Sequence, residues 1–168
     1  CSVLTNLDLH SFNTSNVTTM NSMFQHCKAL TKLDLSKLDT SNVTNMGRIF
    51  YGCSVLTNLD LSGSFDTSNV TDMNSMFHNC SALTKLDLSR LDTSKVTNMN
   101  QMFYKCSALT KLDLHSFDTS NVTDMSQMFN SCSNLKTITY GSNFTNTANP
   151  DTLWMFDNCP ANKPAWYK

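Results

Sequence analysis

The chain contains no glutamate: all 13 acidic residues among its 168 residues are aspartates, which excludes chemistry that requires a glutamate base or ligand. Glycine and proline are scarce, with 4 and 3 copies, so the chain is neither a flexible linker nor a proline-rich ligand. The net charge is only −1, and we expect no nucleic-acid partner because that partner requires concentrated positive charge. No apolar run approaches the roughly 18 residues that span a bilayer, so we expect no direct membrane insertion of this sequence.

Polar uncharged residues are abundant instead, with 21 Ser, 21 Thr and 20 Asn. Such a composition occurs in disordered chains, but the cysteine positions indicate order. Seven cysteines are separated by 26, 26, 27, 26, 26 and 27 residues: Cys1, Cys27, Cys53, Cys80, Cys106, Cys132 and Cys159. A fixed period of this length is typical of repeat architectures. We call each unit of 26 or 27 residues a rung, and equivalent positions in successive rungs a column.

Two hydrophobic periods alternate within each rung. The residues from Leu86 to Leu88 alternate apolar and polar, which predicts a short half-buried strand. From Val70 to Cys80, apolar residues fall at positions i, i+3, i+6, i+7 and i+10, which predicts a two-turn helix with Thr71 as its N-cap. Neither element is stable alone, so both must pack against neighbouring rungs. We therefore predict an α/β solenoid of about six rungs, with short parallel strands on one side and two-turn helices on the other.

The end of the sequence departs from the repeat. Asn149 and Pro150 replace the Val and Thr that other rungs carry, and the tail adds aromatic residues such as Trp166. We therefore divide the chain into a repeat array, 1–143, and a degenerate last repeat with a C-terminal cap, 144–168. The sequence begins within the array and without a leader, from which we expect a fragment of a longer protein.

The repeat motif resembles that of a known family. It runs Cys-x-x-Leu-Thr-x-Leu-Asp-Leu-Ser, then Phe-Asp-Thr-Ser-Asn-Val-Thr-Asp-Met, then Met-Phe-x-x-Cys, and it is nearly complete in 53–80 and 106–132. This is similar to the 26-residue repeat of BspA-like leucine-rich-repeat proteins of bacterial surfaces. The resemblance implies a leucine-rich-repeat solenoid, secretion or display on the cell surface, and adhesion to host proteins, glycans or other cells. We expect a host matrix protein, mucin or glycan as the partner. The signal and anchor would lie outside this sequence, and we expect a monomer.

The cysteines end the apolar face of each unit. We interpret them as buried free thiols, with disulfides between stacked rungs as the alternative. Zinc is not expected, because no Cys-x-x-Cys or Cys-x-x-His spacing exists. His10 and His115 share a column but lie four rungs apart, so no Ser-His-Asp grouping is predicted. We therefore expect no enzyme activity, cofactor or metal site.

The predicted strands present charged residues on their outer face, and this sheet face is the first candidate binding surface. An aspartate lies between the two inward leucines of each strand, and a lysine precedes it in several rungs. The candidate residues are Lys32, Asp34, Asp60, Lys85, Asp87, Lys111 and Asp113. The alternative is a solubilising surface on which lysines offset aspartates.

The predicted helix face is the second candidate surface, through Tyr51 and Tyr104, since tyrosine is enriched in binding hot spots. The alternative is sequence drift at unconstrained positions.

These surfaces favour non-enzymatic adhesion at the cell surface, with a structural spacer as the second hypothesis. The third hypothesis is ice binding through a column of hydroxyls: Thr14, Thr40, Thr67, Thr93 and Thr119.

Overall fold

The structure, a computed structural model, describes residues 2–168, so the first predicted member of the cysteine column, Cys1, lies outside the described residues. Four short strands are present: β1 (Lys32–Asp34), β2 (Asn58–Asp60), β3 (Lys111–Leu114) and β4 (Thr137–Tyr140). β1 pairs with β2 and β3 pairs with β4, both in parallel. Equivalent residues of successive rungs therefore lie opposite each other, as Leu33 does with Leu59 and Leu112 with Ile138.

The predicted two-turn helices are wrong: no α-helix occurs between residues 2 and 168. The corresponding segments are successive tight turns. In the first rung, the N–H of Met23 donates to the carbonyl of Met20 at 3.2 Å, which closes a turn. The N–H groups of Met20 and Ser22 donate to the next rung instead, to the carbonyls of Asn45 and Gly47 at 2.9 Å each. Every second N–H of this segment thus bonds between rungs.

Left-handed residues explain why the apolar spacing does not give helices. Two columns have φ between +53° and +72° in every rung: Ser22, Arg48, Ser75, Gln101, Gln127 and Trp154, and then His26, Gly52, Asn79, Lys105, Ser131 and Asn158. A right-handed helix cannot contain such residues every fourth position. The apparent N-cap at Thr71 is an Asx turn, in which Asp72 Oδ1 accepts the N–H of Asn74 at 3.0 Å. N-caps and Asx turns use the same side-chain oxygens, so the sequence does not distinguish them.

The continuous hydrogen-bonded ladder lies on the turn side of the solenoid, which we call the turn face. Single parallel bridges join one column through all rungs: Thr19, Asn45, Asp72, Asn98, Asp124 and Asp151. On the sheet face the strands form two separate two-stranded sheets, because the residues from Lys85 to Leu88 do not form a paired strand. The prediction of one parallel sheet along that side is therefore wrong as well.

The apolar columns fill one core between the two sides. Val70, Met73, Met76 and Phe77 are fully buried, and the same holds for most of their equivalents in other rungs. Phenylalanine rings stack along the array with centroids 5.1 to 6.0 Å apart: Phe24, Phe50, Phe77, Phe103, Phe129 and Phe156. Burial of each large side chain contributes about 1.5–3 kcal/mol, so the stacked core holds the rungs together.

The described cysteines are buried free thiols, as predicted, from Cys27 to Cys159. Four thiols donate to a phenylalanine carbonyl of the preceding rung, as Cys106 Sγ does to the carbonyl of Phe77 at 3.1 Å. Burial raises the pKa of Cys53 to about 11 and that of Cys106 well above its ordinary value. These thiols therefore remain protonated and contribute to packing.

The tail closes the C-terminal end of the core. Asn162 donates its amide to the carbonyl of Ile138 at 2.9 Å, and its oxygen accepts the N–H of Ile138 at 2.7 Å. Trp166 stacks on Phe144 and donates to its carbonyl at 2.9 Å. Tyr167 packs against Phe156 with ring centroids 4.9 Å apart. Side chains of the tail thus occupy the place of a following rung.

Gly63, the extra residue of a 27-residue rung, tests the stacking. Its φ is +68°, and a Cβ there would collide with the carbonyl oxygen of Ser36 in the preceding rung. We expect Gly63→Ala to lower the free energy of unfolding by about 1–3 kcal/mol in urea denaturation. Gly47→Asn is the control, since the three atoms nearest to a Cβ there belong to side chains, which can move: those of Asn74, Asn21 and Asn45. Equal stability of Gly63→Ala and wild type would contradict the close contact.

Candidate binding surfaces

The structure places the candidate residues of the sheet face on the outside, in successive rungs. Lys32 and Asp34 lie on β1, Asp60 on β2, and Lys111 and Asp113 on β3, all of them exposed. Asp34 lies directly opposite Asp60 in the parallel register. The remaining two candidates, Lys85 and Asp87, are exposed in the rung without a paired strand.

The aspartates of this face also have a structural role that the sequence analysis missed. In each of these rungs, Asp Oδ1 accepts the backbone N–H two residues later, as Asp34 does from Ser36 at 2.8 Å and Asp113 from His115 at 2.9 Å. The same bond occurs at Asp60 and Asp87. Each aspartate therefore forms an Asx turn where the strand ends. The signal was present in the sequence, because a Ser or His follows two positions after each aspartate.

The charges of the sheet face are not neutralised by direct contact. Within residues 2–168 the ion pair observed is His10 with Asp8, at 2.7 Å. The ammonium groups of Lys32, Lys85 and Lys111 form no ion pair in the described part of the chain. The lysines of this face therefore form no ion pairs with its aspartates in the described residues.

Shallow clefts open on the sheet face beside the unpaired rung. One of about 160 Å³ is lined by Leu59, Asp60, Asp87 and Arg90, among others. A second, of about 390 Å³, lies between Lys85 and Asp113. Both border the unpaired rung, and a further cleft of about 470 Å³ lies over the paired strands β1 and β2, where Lys32, Asp34 and Asp60 contribute to its lining.

The threonine column predicted as an ice-binding surface lies inside the molecule. Thr40 Oγ1 donates to the carbonyl of Asp66 in the next rung at 2.7 Å, and its equivalents make the same bond. All five hydroxyls are buried: Thr14, Thr40, Thr67, Thr93 and Thr119. The interpretation of this column as an ice-binding surface is therefore wrong.

Tyr51 and Tyr104 lie on the turn face rather than on a helix, and both are half-buried. His78 occupies the same column and lies between them. Its ring stacks on Tyr51 with centroids 4.2 Å apart and on Tyr104 at 4.6 Å. His26 packs edge-on against Tyr51 at 5.3 Å. The repeat period places the three residues in one column, but it does not predict that their rings cover one another.

The environment of His78 favours its neutral form. Burial, together with the positive charges of Lys105 and Arg48, lowers the pKa of His78 to about 4, although a hydrogen bond with the Gln101 side chain acts in the opposite direction. Its Nδ1 is buried and forms no hydrogen bond with the described residues.

Within residues 2–168, no group of three or more His, Cys or Asp residues is arranged to hold a metal ion. No helix in the same range has the length and apolar character required to cross a bilayer.

The Asx turn at Asp87 predicts a pH effect. Hydrogen bonds from the hydroxyl and N–H of Ser89 hold the pKa of Asp87 below its ordinary value of 3.8. Such a carboxylate stabilises the fold above its unfolded pKa, and this contribution is lost as the pH falls through the folded pKa. We expect Ser89→Ala to raise the pKa of Asp87 in an NMR titration. The variant should be less stable than wild type at neutral pH, with a smaller difference in acid.

Ser133→Ala is the matched control, since it removes an exposed serine hydroxyl outside the Asx turns. An unchanged pKa of Asp87 in Ser89→Ala would show that this hydroxyl does not hold the carboxylate.

Comparison with known proteins identifies a family. A leucine-rich repeat protein of T. pallidum, TpLRR, has a similar solved structure, with 17% sequence identity, a TM-score of 0.43, and coverage of 74% of this chain and 67% of that chain. No curated protein matches the sequence. The family described as "Mycoplasma protein of unknown function, DUF285" matches residues 2–82 and 53–166. This chain, a repeat protein built of stacked rungs, therefore belongs to the DUF285 family.

Proposed function

We propose that this protein is a non-enzymatic binding module of a cell surface, which recognises a host or neighbouring-cell protein or glycan through its sheet face. The observation that carries the proposal is the row of exposed lysines and aspartates beside open clefts, without ion pairs among the described residues to satisfy them. The lysine ammonium groups form no ion pair, and each aspartate keeps one carboxylate oxygen outside its Asx turn, so both are available to an external ligand. Their regular spacing suits an extended ligand.

The chemistry of the reactive side chains supports a binding role over catalysis. Thiolates are the strongest nucleophiles that this sequence offers, but the described cysteines are buried and protonated. The candidate aspartates Asp34, Asp60 and Asp87 use one oxygen in Asx turns, and none of the three forms an ion pair with a histidine in the described residues.

A structural spacer of a surface protein is the second candidate function. The Asx turns favour it, because they give the aspartate column a role that requires no ligand. The two functions differ in what the sheet face contacts, so charge substitutions on that face distinguish them.

The test uses residues that the array itself contains. The first variant combines Lys32→Asn, Lys85→Asn and Lys111→Asn, since Asn6 and Asn58 occupy the same column. The second variant combines Asp34→Asn, Asp60→Asn and Asp87→Asn, which removes the negative charge but keeps a side-chain oxygen for each Asx turn. Binding is measured against immobilised mucin, matrix proteins and a glycan array. We expect at least one variant to bind about tenfold more weakly than wild type.

Lys95→Asn is the control, because it removes a lysine from a column outside the sheet face that holds Asn42, Asn69 and Asn121 in other rungs. Wild-type protein that retains none of these ligands would support the spacer. Binding that survives both charge variants would show that another surface is responsible.

A further inference from the structure

The turn face carries a second cluster whose chemistry differs from that of the sheet face. The rings of Tyr51, His78 and Tyr104 form a short stack, with interplanar angles of 18° and 19°. Stacked rings cover each other's faces and leave their edges toward the surface. The edge of an aromatic ring is electropositive, whereas its face is electronegative. This column therefore presents the side of each ring that attracts anions.

Basic side chains surround the stack. Arg48 and Lys105 are exposed, and Lys105 Nζ lies 5.2 Å from the centroid of the Tyr104 ring. The charged groups that act on His78 are Lys105, Arg48 and His26, all of which are bases. Neither Arg48 nor Lys105 forms an ion pair with the residues that the structure describes. The cluster is thus a local positive surface on a chain whose net charge is −1.

Both cations occupy columns in which the other rungs mostly carry neutral residues. The column of Arg48 holds Ser22 and Ser75, and the column of Lys105 holds Asn79 and Ser131, all with left-handed φ. The backbone at these positions thus accommodates neutral side chains, so the repeat geometry does not require the positive charges.

We propose that this basic aromatic surface, formed by Arg48, Tyr51, His78, Tyr104 and Lys105, binds the carboxylate or sulfate groups of an acidic polysaccharide. The guanidinium and ammonium groups pair with the anions, and the electropositive ring edges favour the same charge. The tyrosine hydroxyls supply hydrogen bonds for sugar hydroxyls. The site lies on the turn face and is independent of the sheet face.

Other anionic polymers fit this surface less well. Single-stranded nucleic acid is held by base stacking on free aromatic faces, and here neighbouring rings cover the faces. An acidic peptide gains affinity from apolar anchor residues that enter pockets. The large apolar side chains that are exposed in the described residues do not belong to this cluster: Val3, Phe12, Met23, Val55, Leu153 and Trp154. A polar, charged chain such as an acidic polysaccharide needs no such pocket.

The first experiment measures binding of heparin, a sulfated polysaccharide, by calorimetry. Arg48→Ser and Lys105→Asn are combined, because Ser75 and Asn79 occupy the same columns with the same backbone conformation. We expect the double variant to bind heparin at least about tenfold more weakly, since the loss of even one of the two charge-assisted contacts has an effect of that size. Lys95→Asn, which removes a positive charge elsewhere, should bind within about twofold of wild type. Thermal unfolding confirms that each variant is folded.

The second experiment separates the aromatic stack from charge alone. Tyr104→Asn introduces the residue that Asn130 provides in the same column, and it should weaken heparin binding several-fold without changing the net charge. In an NMR titration of wild type, bound heparin should raise the pKa of His78, because a nearby anion stabilises the imidazolium form.

Several outcomes would overturn the proposal. The first is that the double variant of Arg48 and Lys105 binds heparin as tightly as wild type. The second is that Lys95→Asn loses as much heparin affinity as the double variant does. The third is that wild type binds neutral dextran as tightly as heparin. Displacement of heparin by single-stranded DNA or poly-aspartate at lower concentrations than by hyaluronan, a carboxylated polysaccharide, would assign the surface to another class of ligand. Loss of heparin binding in the sheet-face variants alone would place the site on the other side of the solenoid.

Discussion

The hydrogen bonds between the turn segments of successive rungs are the interaction on which the rest of this structure depends. Every second N–H of these segments donates to the next rung, and the remaining N–H groups close turns within their own rung. Backbone groups that are removed from water must find such partners. A rung in isolation would lose half of these bonds and most of its buried surface. The structural unit is therefore the pair of neighbouring rungs rather than the single repeat.

This constraint also explains the composition. Asp and Asn side chains close Asx turns at fixed columns, and buried threonine hydroxyls bond to the carbonyls of the next rung. Buried thiols bond from the core to carbonyls of the preceding rung. Side chains of this size bond to the local backbone without large conformational entropy losses. The abundance of small polar residues, which alone would be compatible with disorder, is thus a consequence of a backbone that contains many turns and few strands.

The core of the fold was predictable from the sequence, and its local backbone was not. Columns such as Met73 and Phe77 follow from the period of the cysteines, and they are buried as expected. The helix prediction failed because tandem turns with left-handed residues present apolar side chains at nearly the same spacing as a helix. Residues such as Arg48 and Lys105 give no sign of positive φ, because this conformation is normally associated with Gly and Asn.

Of the candidate surfaces, the charges of the sheet face could be placed from the sequence. The face-to-face packing of His78 between two tyrosines required coordinates.

The amide of Asn162 has a consequence for the behaviour of the chain in concentrated solution. An uncovered outermost strand offers its N–H and C=O groups to strands of other molecules, which is a common route to fibrils. Asn162 occupies both groups of Ile138 on β4, and its amide thereby imitates one peptide unit of a neighbouring strand. A single side chain thus competes with foreign strands for the middle of β4 at the C-terminal end of the array.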